Sequence, residues 1–286
     1  IGLLMLVIVL GAGVVGKGAQ RWLDLGFVRF QPAEMMKLAV PMMVAWVMVR
    51  KPLPVTLPTV IIGFIVVMIP VFLVIKQPDL GTAILIAGSG LVVIFFAGMS
   101  WRLIAMLGAF AAAVAPLAWY MLHDYQRRRI LTLFDPWSDP LGSGYHTIQS
   151  AIAVGSGGVY GKGWLNGSQS QLDFIPERST DFIFAVFSEE FGFIGSLLLL
   201  LAYLFVVGRS LYIAIEAKDS YTRLLCGSLA VTFAIYVFVN IGMVTGILPI
   251  VGVPLPLISY GGTSMVSLMA GFGILMSAYS NRWFMH

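Results

Sequence analysis

The chain has 286 residues, of which 59% are hydrophobic and only 10% are charged. This composition excludes an ordinary soluble domain, in which about a quarter of the residues carry charge. The formal net charge of +4 comes without a long basic run, so we do not expect nucleic acid as a partner. Cys226 is the only cysteine, which excludes an intramolecular disulfide. We predict an all-α integral membrane protein.

Apolar windows in the sequence predict eight membrane-spanning helices, because one crossing takes about 20 residues. The predicted spans are 1–16, 34–50, 52–75, 80–101, 103–122, 182–208, 224–245 and 259–279. The last two belong to one charge-free window that prolines and glycines at 246–262 interrupt. We expect irregular backbone there, which a membrane protein tolerates only inside the protein or beside a water-filled cavity. The result is a polytopic helical bundle, treated as a single transmembrane domain over 1–286.

Alternate connections between spans must lie on the same side of the membrane. Four connections are predicted on one side of the membrane, namely 17–33, 76–79, 123–180 and 246–258. The connection 123–180 exceeds what a simple connector needs, so we expect an ordered functional loop, with a short helix at 145–154. The density of Lys and Arg favours the opposite side as cytoplasmic, whereas their raw number weakly favours this one. The residues alone leave the orientation open.

Charged residues at the start of the second span have two interpretations. Glu34 and Lys37 lie three residues apart, on one face of a helix, where they can pair. Together with Arg21 they could form a cationic site for a phosphorylated lipid, or they could anchor the helix at the interface. Asp79, in the turn 76–83, could likewise be functional or simply cap the next helix.

The stretch PERSTDFIFAVFSEE at 176–190 places Asp181, Glu189 and Glu190 at the start of the sixth span. Carboxylates at membrane depth are costly and indicate function. We expect a helix that begins near Thr180 and is capped by it, with Glu189 about 12 Å deeper than Asp181. Glu189 and Glu190 are then expected to hydrogen-bond neighbouring spans. Asp181, at the rim, could meet solvent and a substrate, or merely complement the helix dipole.

The glycine-rich stretch GSGGVYGKG at 155–163 suggests a phosphate-binding loop. That interpretation fails, because the P-loop pattern needs glycine where this chain has Ser156 and needs Ser or Thr where it has Gly163. We therefore expect only a close-approach loop that carries Lys162. The three histidines are scattered along the chain, so the sequence predicts no His-rich metal site.

These stretches together resemble the SEDS family (shape, elongation, division and sporulation) over nearly the whole chain. The motifs that carry the resemblance are KGAQRWLDLG, QPAEMMKLAV, QPDLGTA, GKGWLNGSQSQLDFIPERSTDFIFAVFSEEFG and GILPIVGVPLPLISYGGTS. The pieces PERSTDFIF and HDYQRRRI are more similar to RodA, the elongation member, than to FtsW, the division member. The resemblance implies a ten-span fold, in which the eight spans predicted here correspond to the third through tenth. We therefore expect the first two spans of the family fold to be missing from this chain.

The resemblance also implies a function and a set of site residues. It implies a peptidoglycan glycosyltransferase that polymerises lipid II during cell elongation, beside a class B penicillin-binding protein transpeptidase. The expected location is the bacterial cytoplasmic (inner) membrane, among membrane lipids, with the active site and the 123–180 loop facing the periplasm. Asp181 follows the family's Pro-Glu-x-x-Thr motif and is the expected catalytic residue. The expected substrate-binding residues are Arg21, Glu34, Lys37, Asp79, Lys162 and Glu177. The resemblance allows a divalent cation (Mg²⁺ or Mn²⁺) as cofactor and implies no organic cofactor.

The implied reaction fits one carboxylate. An α-linked donor that gives a β-linked product requires inversion, for which a single displacement with one general base is sufficient. An aspartate, with an ordinary pKa of about 3.9, is ionised at neutral pH and can accept the proton of the acceptor hydroxyl. Undecaprenyl diphosphate can leave without protonation if Arg21, Lys37 or a divalent ion stabilises its charge. Two alternatives remain, a lipid II flippase and a noncatalytic membrane scaffold for a penicillin-binding protein.

Overall fold

The computed structural model describes residues 2–16, 19–24, 26, 29–121, 127, 131–140, 142, 144–172, 174–175 and 177–284. Most of the regular structure in these ranges is helical, which confirms the helical membrane-protein class. The helices are α1 (Gly2–Ala12), α2 (Pro32–Val49), α3 (Leu57–Lys76), α4 (Leu80–Phe96), α5 (Trp101–Met121), α6 (Tyr145–Ser156), α7 (Ser168–Gln171), α8 (Ile183–Glu216), α9 (Ser220–Val244) and α10 (Gly262–Phe284). A 3-10 turn covers Pro136–Ser138.

Eight of these helices coincide with the eight predicted spans. Five of them, α2, α3, α8, α9 and most of α10, are long and apolar enough to cross a membrane. In the other three helices the apolar part is shorter, at Gly2–Gly11, Leu80–Phe96 and Trp101–Pro116. The number of helices that cross stays a prediction. The short helix expected at 145–154 is confirmed as α6 within the long loop.

A small antiparallel sheet, not predicted from the sequence, follows α1. Its strands are β1 (Val14–Gly16), β2 (Ala19–Asp24) and β3 (Arg29–Phe30). The first span was predicted to reach residue 16, but α1 ends at Ala12 because the chain turns into β1. Val14 lies opposite Trp22, and Leu23 lies opposite Phe30. Strand β2 of this sheet carries Arg21 and places it near Asp79.

The chain divides into two compact units. The first unit comprises Ile1–Met99, Leu204–Ile235 and Gly261–His286, and the second comprises Ser100–Tyr203 and Tyr236–Tyr260. This division leaves the predicted single transmembrane domain over 1–286 a prediction. All seven predicted site residues fall in one unit or the other, so each unit can be described on its own.

In the first unit, helices α2, α3 and α4 pack closely against one another. Glycines permit this close packing, since a Cβ on Gly63 would overlap Met48 and a Cβ on Gly90 would overlap Val67. The α2 helix carries Pro32 in its first turn, where the missing N–H costs nothing. This three-helix layer holds α2 and the N-terminus of α4, which provide three of the predicted site residues.

In the second unit, helix α8 is broken at Gly192, whose backbone adopts φ 64° and ψ −162°. Residues 158–163, in the loop after α6, pack against this break. Their backbone groups form hydrogen bonds with backbone groups of α8 on both sides of Gly192. The hydrogen bonds are Lys162 N to Glu189 O (3.0 Å), Gly163 N to Glu190 O (2.9 Å), Phe193 N to Gly158 O (2.9 Å) and Ile194 N to Val159 O (3.1 Å). Residues 193–216 alone extend about 36 Å, enough for a crossing of about 30 Å. The two glutamates therefore precede the part of α8 that is long enough to cross.

Candidate active site

Asp181 lies in a tight turn, residues 177–182, which we call the Asp181 turn. Glu177 opens the turn with φ 56°, a left-handed conformation that is uncommon for residues other than glycine. Its carbonyl oxygen accepts hydrogen bonds from Thr180 N (3.0 Å) and Phe182 N (3.3 Å). Its carboxylate accepts a hydrogen bond from Thr180 Oγ1 (2.8 Å). Glu177 therefore fixes the shape of the turn that carries Asp181.

The prediction that Thr180 caps the helix was wrong, and the helix begins three residues later. Helix α8 begins at Ile183, and the Thr180 hydroxyl donates to Glu177 instead of capping the helix. The reason is local, because the left-handed residue and its hydrogen bonds hold the chain in a turn until Phe182. Asp181 consequently lies just outside the helix, on a backbone that the turn constrains.

The irregular stretch between α9 and α10, residues 246–260, packs against the Asp181 turn; we call it the Pro-rich loop. Tyr260 N donates to Ser179 O (2.9 Å), and Ser259 Oγ donates to Thr180 O (2.6 Å). Tyr203 of α8 donates its hydroxyl to Pro256 O (2.7 Å) from the other direction. The predicted irregular backbone is therefore confirmed, and these hydrogen bonds join it to its neighbours inside the second unit.

The Asp181 side chain is half-buried against this loop. A Cβ placed on Gly252 would lie 3.4 Å from Asp181 Oδ2, so the bare backbone of Gly252 borders the carboxylate. Gly252 has φ 71°, a conformation that side chains rarely adopt. The Asp181 residue keeps part of its surface accessible.

His146 of α6 also contacts the Asp181 turn. Its ring stacks on Phe182, with centroids 5.6 Å apart and planes at 14°. Burial lowers the pKa of His146, while the charge of Glu177 acts in the opposite direction. The neutral imidazole is therefore the form that packs here. The sequence alone offers no sign of this contact, because His146 is one of three histidines scattered along the chain.

Glu189 is the second carboxylate of the unit, and it is completely buried. Its Oε1 atom accepts hydrogen bonds from four groups of the long loop. These are Lys162 Nζ (2.6 Å), Gln169 N (3.0 Å), Ser168 Oγ (3.1 Å) and Ser156 Oγ (3.4 Å). We call this arrangement the Glu189 anchor. The prediction that Glu189 bonds neighbouring spans was wrong, because the loop folds back along α8 and reaches the carboxylate first. A substrate-binding role for Lys162 stays a prediction, since its ammonium is held by this anchor.

The first unit holds the other predicted site residues. Lys37 Nζ lies 2.6 Å from Glu34 Oε1, which confirms the predicted pair, and both side chains are buried. Ser267 of α10 donates to Glu34 Oε2 at 2.9 Å. The pair is therefore connected to a helix more than 200 residues away in sequence.

Asp79 caps α4, as one of its two interpretations predicted. Its carboxylate accepts hydrogen bonds from Thr82 N (3.2 Å), Thr82 Oγ1 (2.9 Å) and Gln31 Nε2 (3.0 Å). Arg21 approaches from β2, with Nε 3.6 Å from Asp79 Oδ2, and donates to Pro78 O at 2.8 Å. The Arg21 side chain as a whole is about one-third exposed, whereas Asp79 is buried. This cation is thus oriented by the cap and remains accessible.

Among the described residues, no group of three or more His, Cys, Asp and Glu side chains could hold a metal ion. The allowed Mg²⁺ or Mn²⁺ therefore has no ready-made set of protein ligands in this part of the chain. We derive no step through a metal.

Comparison with known proteins identifies the family. The model of the FtsW/RodA/SpoVE family, described as "Cell cycle protein", matches residues 1–282. The chain belongs to this family. It is 56% identical over 281 residues to "Peptidoglycan glycosyltransferase MrdB" of Escherichia coli (strain K12), covering 98% of this chain and 76% of that protein. It is 38% identical over 279 residues to "Stage V sporulation protein E" of Bacillus subtilis, covering 96% of this chain and 75% of that protein.

Solved structures share the fold. A chain in the structure described as "Structural coordination of polymerization and crosslinking by a peptidoglycan synthase complex" matches with a TM-score of 0.85 and 32% identity, covering 99% of this chain and 79% of that one. The rod shape determining protein RodA of Thermus thermophilus matches with a TM-score of 0.71 and 28% identity, covering 99% and 76%. The resemblance to the SEDS family and to RodA is confirmed, although most of the HDYQRRRI motif lies outside the described residues.

Proposed function

We propose that this protein is a peptidoglycan glycosyltransferase that polymerises lipid II. The observation that carries the proposal is the similarity, over almost the whole chain, to a relative named as a peptidoglycan glycosyltransferase. The Asp181 turn supports it, because it carries a half-buried aspartate on a constrained backbone. Inverting glycosyl transfer needs one such group as a general base.

Asp181 acts as that base. Its carboxylate takes the proton of the acceptor 4-hydroxyl while that oxygen forms a bond to the anomeric carbon of the donor. The bond between the anomeric carbon and the diphosphate oxygen breaks in the same step, and undecaprenyl diphosphate leaves with the electron pair. The product linkage is β because the attack inverts an α-linked donor. A covalent intermediate on the protein is not required.

Arg21 is our candidate for contact with the departing diphosphate. Its guanidinium is oriented by Asp79 and Pro78, and about one-third of the side chain is exposed. A planar guanidinium can bind phosphate oxygens in a bidentate manner. Lys37 is buried and paired with Glu34, so its contribution is to hold that carboxylate in place within the first unit. The roles proposed for Arg21 and Asp181 rest on the geometry of each unit separately.

A class B penicillin-binding protein is the proposed partner. The support is the matched peptidoglycan synthase complex, whose description joins polymerization with crosslinking. The proposed location is the bacterial inner membrane, with the Asp181 turn facing the periplasm. Helices long enough to cross a bilayer support the membrane location.

The test is an assay of the purified protein, free of other synthases, with lipid II in detergent and in liposomes. We expect glycan strands, with one undecaprenyl diphosphate released for each disaccharide added. An enzyme that cuts β-1,4 linkages after MurNAc should digest the product completely. Movement of lipid II between leaflets without release of diphosphate would instead support a flippase. Neither activity, combined with binding of the transpeptidase, would support a scaffold.

A further inference from the structure

Asn240 is a polar side chain in an apolar stretch of α9, and it has no exposed surface. Its amide nitrogen donates to Asp181 O (2.9 Å) and to Val253 O (2.7 Å). Both N–H groups of the amide are therefore used, one on the Asp181 turn and one on the Pro-rich loop. Its Oδ1 atom is buried and has no hydrogen-bond partner among the described residues. A buried oxygen without a hydrogen bond costs folding free energy. The two hydrogen bonds that the same amide donates are a reason for an asparagine to be present at this position despite that cost.

Ser259 makes the corresponding contact from the Pro-rich loop. Its hydroxyl donates to Thr180 O (2.6 Å) and accepts from Leu255 N (2.7 Å). The next residue, Tyr260, donates its backbone N–H to Ser179 O (2.9 Å). Three successive carbonyl groups, those of residues 179, 180 and 181, are thus each bound by a separate donor.

This arrangement removes the freedom of the backbone at Asp181. A peptide plane can rotate only if its carbonyl oxygen changes its partner, and all three planes at this position are held. The side chain of Asp181 leaves a Cα whose own carbonyl is bound by Asn240 and whose preceding carbonyl is bound by Ser259. The direction of its Cα–Cβ bond is therefore held, and its carboxylate lies beside the backbone of Gly252. Catalytic groups need such fixed placement, because a misplacement of about 1 Å can cost about 100-fold in rate.

We propose that Asn240 and Ser259 are positioning residues for the glycosyl transfer, acting through the backbone carbonyls of Asp181 and Thr180. The inference rests on the proposed function and deepens it. Neither side chain touches the reacting atoms in this scheme. Their loss should lower the rate of the chemical step and leave the binding of lipid II unchanged.

The variants Asn240→Ala and Ser259→Ala test this proposal in the full protein, with lipid II as substrate. We expect each to lower kcat about 10- to 100-fold without changing KM. Ser259→Thr keeps the hydroxyl donor and should restore most of the rate. The matched control is Ser150→Ala, because Ser150 is also buried in this unit and donates to a carbonyl of α9, Val244 O (2.9 Å), outside the Asp181 turn. Its kcat should stay near the wild-type value.

The outcomes separate this proposal from the proposed function. If the wild-type protein does not polymerise lipid II, the proposed function fails. If it does, and Ser259→Ala keeps the wild-type kcat or raises only KM, the positioning role is wrong. A loss of kcat in Ser150→Ala equal to that in Ser259→Ala would also overturn it, because the effect would then be general destabilisation. If Asn240→Ala does not fold, the comparison of Ser259→Ala with Ser259→Thr decides the question.

Discussion

Two carboxylates that lie eight residues apart in the second unit, Asp181 and Glu189, differ in burial and in the partners that hold them. Glu189 has no exposed surface, and its Oε1 accepts hydrogen bonds from four groups of the long loop. Asp181 keeps part of its surface accessible, and the contacts that hold it go to backbone carbonyls of its turn. A buried carboxylate with so many donors can hold a loop in place, whereas an accessible one on a fixed backbone can exchange a proton. Burial and hydrogen-bond partners therefore distinguish the two carboxylates.

The largest effect on stability should come from removing the cation of the Glu189 anchor. Lys162→Ala leaves the buried carboxylate without its charged partner, which costs on the order of 3 kcal/mol. The expected result is a lower midpoint of thermal unfolding in detergent, with faster proteolysis of the loop segment 157–169. The control is Lys51→Ala, which removes an exposed lysine and should change stability by less than about 0.5 kcal/mol. Equal stability of the two variants would contradict the anchor.

A smaller loss should follow from a methyl group at Gly157. Its Cβ would overlap Ser188 O, so Gly157→Ala must push the loop segment away from α8, at a cost of about 1–3 kcal/mol. The matched control is Gly155→Ala, two residues earlier, where a Cβ would meet nothing within 4 Å. Alanine in place of that helical glycine should be neutral or stabilising by up to about 1 kcal/mol. Equal unfolding midpoints for the two variants would show that the loop does not need its close approach to α8.

The smallest effect concerns His146, on the Asp181 side of the comparison. Because burial lowers the pKa of His146 in the folded protein, its neutral form favours folding. As pH falls through about 6.5, the ordinary pKa of histidine, the unfolded state takes up a proton first, and stability declines. His146→Phe keeps the stack on Phe182 and removes this titration. Its thermal midpoint should therefore fall less than that of the wild type between neutral and mildly acidic pH. An identical decline in both proteins would exclude His146 as the source.

The features that sequence reasoning predicted are mostly local. The Glu34–Lys37 pair follows from a spacing of three residues on one helix, and the cap at Asp79 follows from its place before an apolar run. The short helix in the long loop was predicted within two residues of its end. In each case the partners are neighbours in sequence, so spacing is sufficient to bring them together.

The features that were missed depend on contacts between distant residues. The partners of Glu189 lie 20 to 33 residues away, and Asn240 reaches Asp181 across 59 residues. No spacing rule brings such residues together. One signal was nevertheless present, because Asn240 is a polar residue within a charge-free stretch, and such residues are costly in a membrane. The turn at Glu177 was missed for another reason, since its left-handed backbone gives no compositional sign.

The most direct measurement is the turnover of purified lipid II by Asp181→Asn, made together with its lipid II affinity. The control is Asp135→Asn, in the long loop 123–180. Asparagine can still accept there the hydrogen bond that Trp137 N donates to Asp135. If Asp181 is the general base, its variant should bind lipid II as the wild type does and polymerise it at least about 100-fold more slowly, while the control keeps its rate. Polymerisation by Asp181→Asn at the wild-type rate would contradict the assignment.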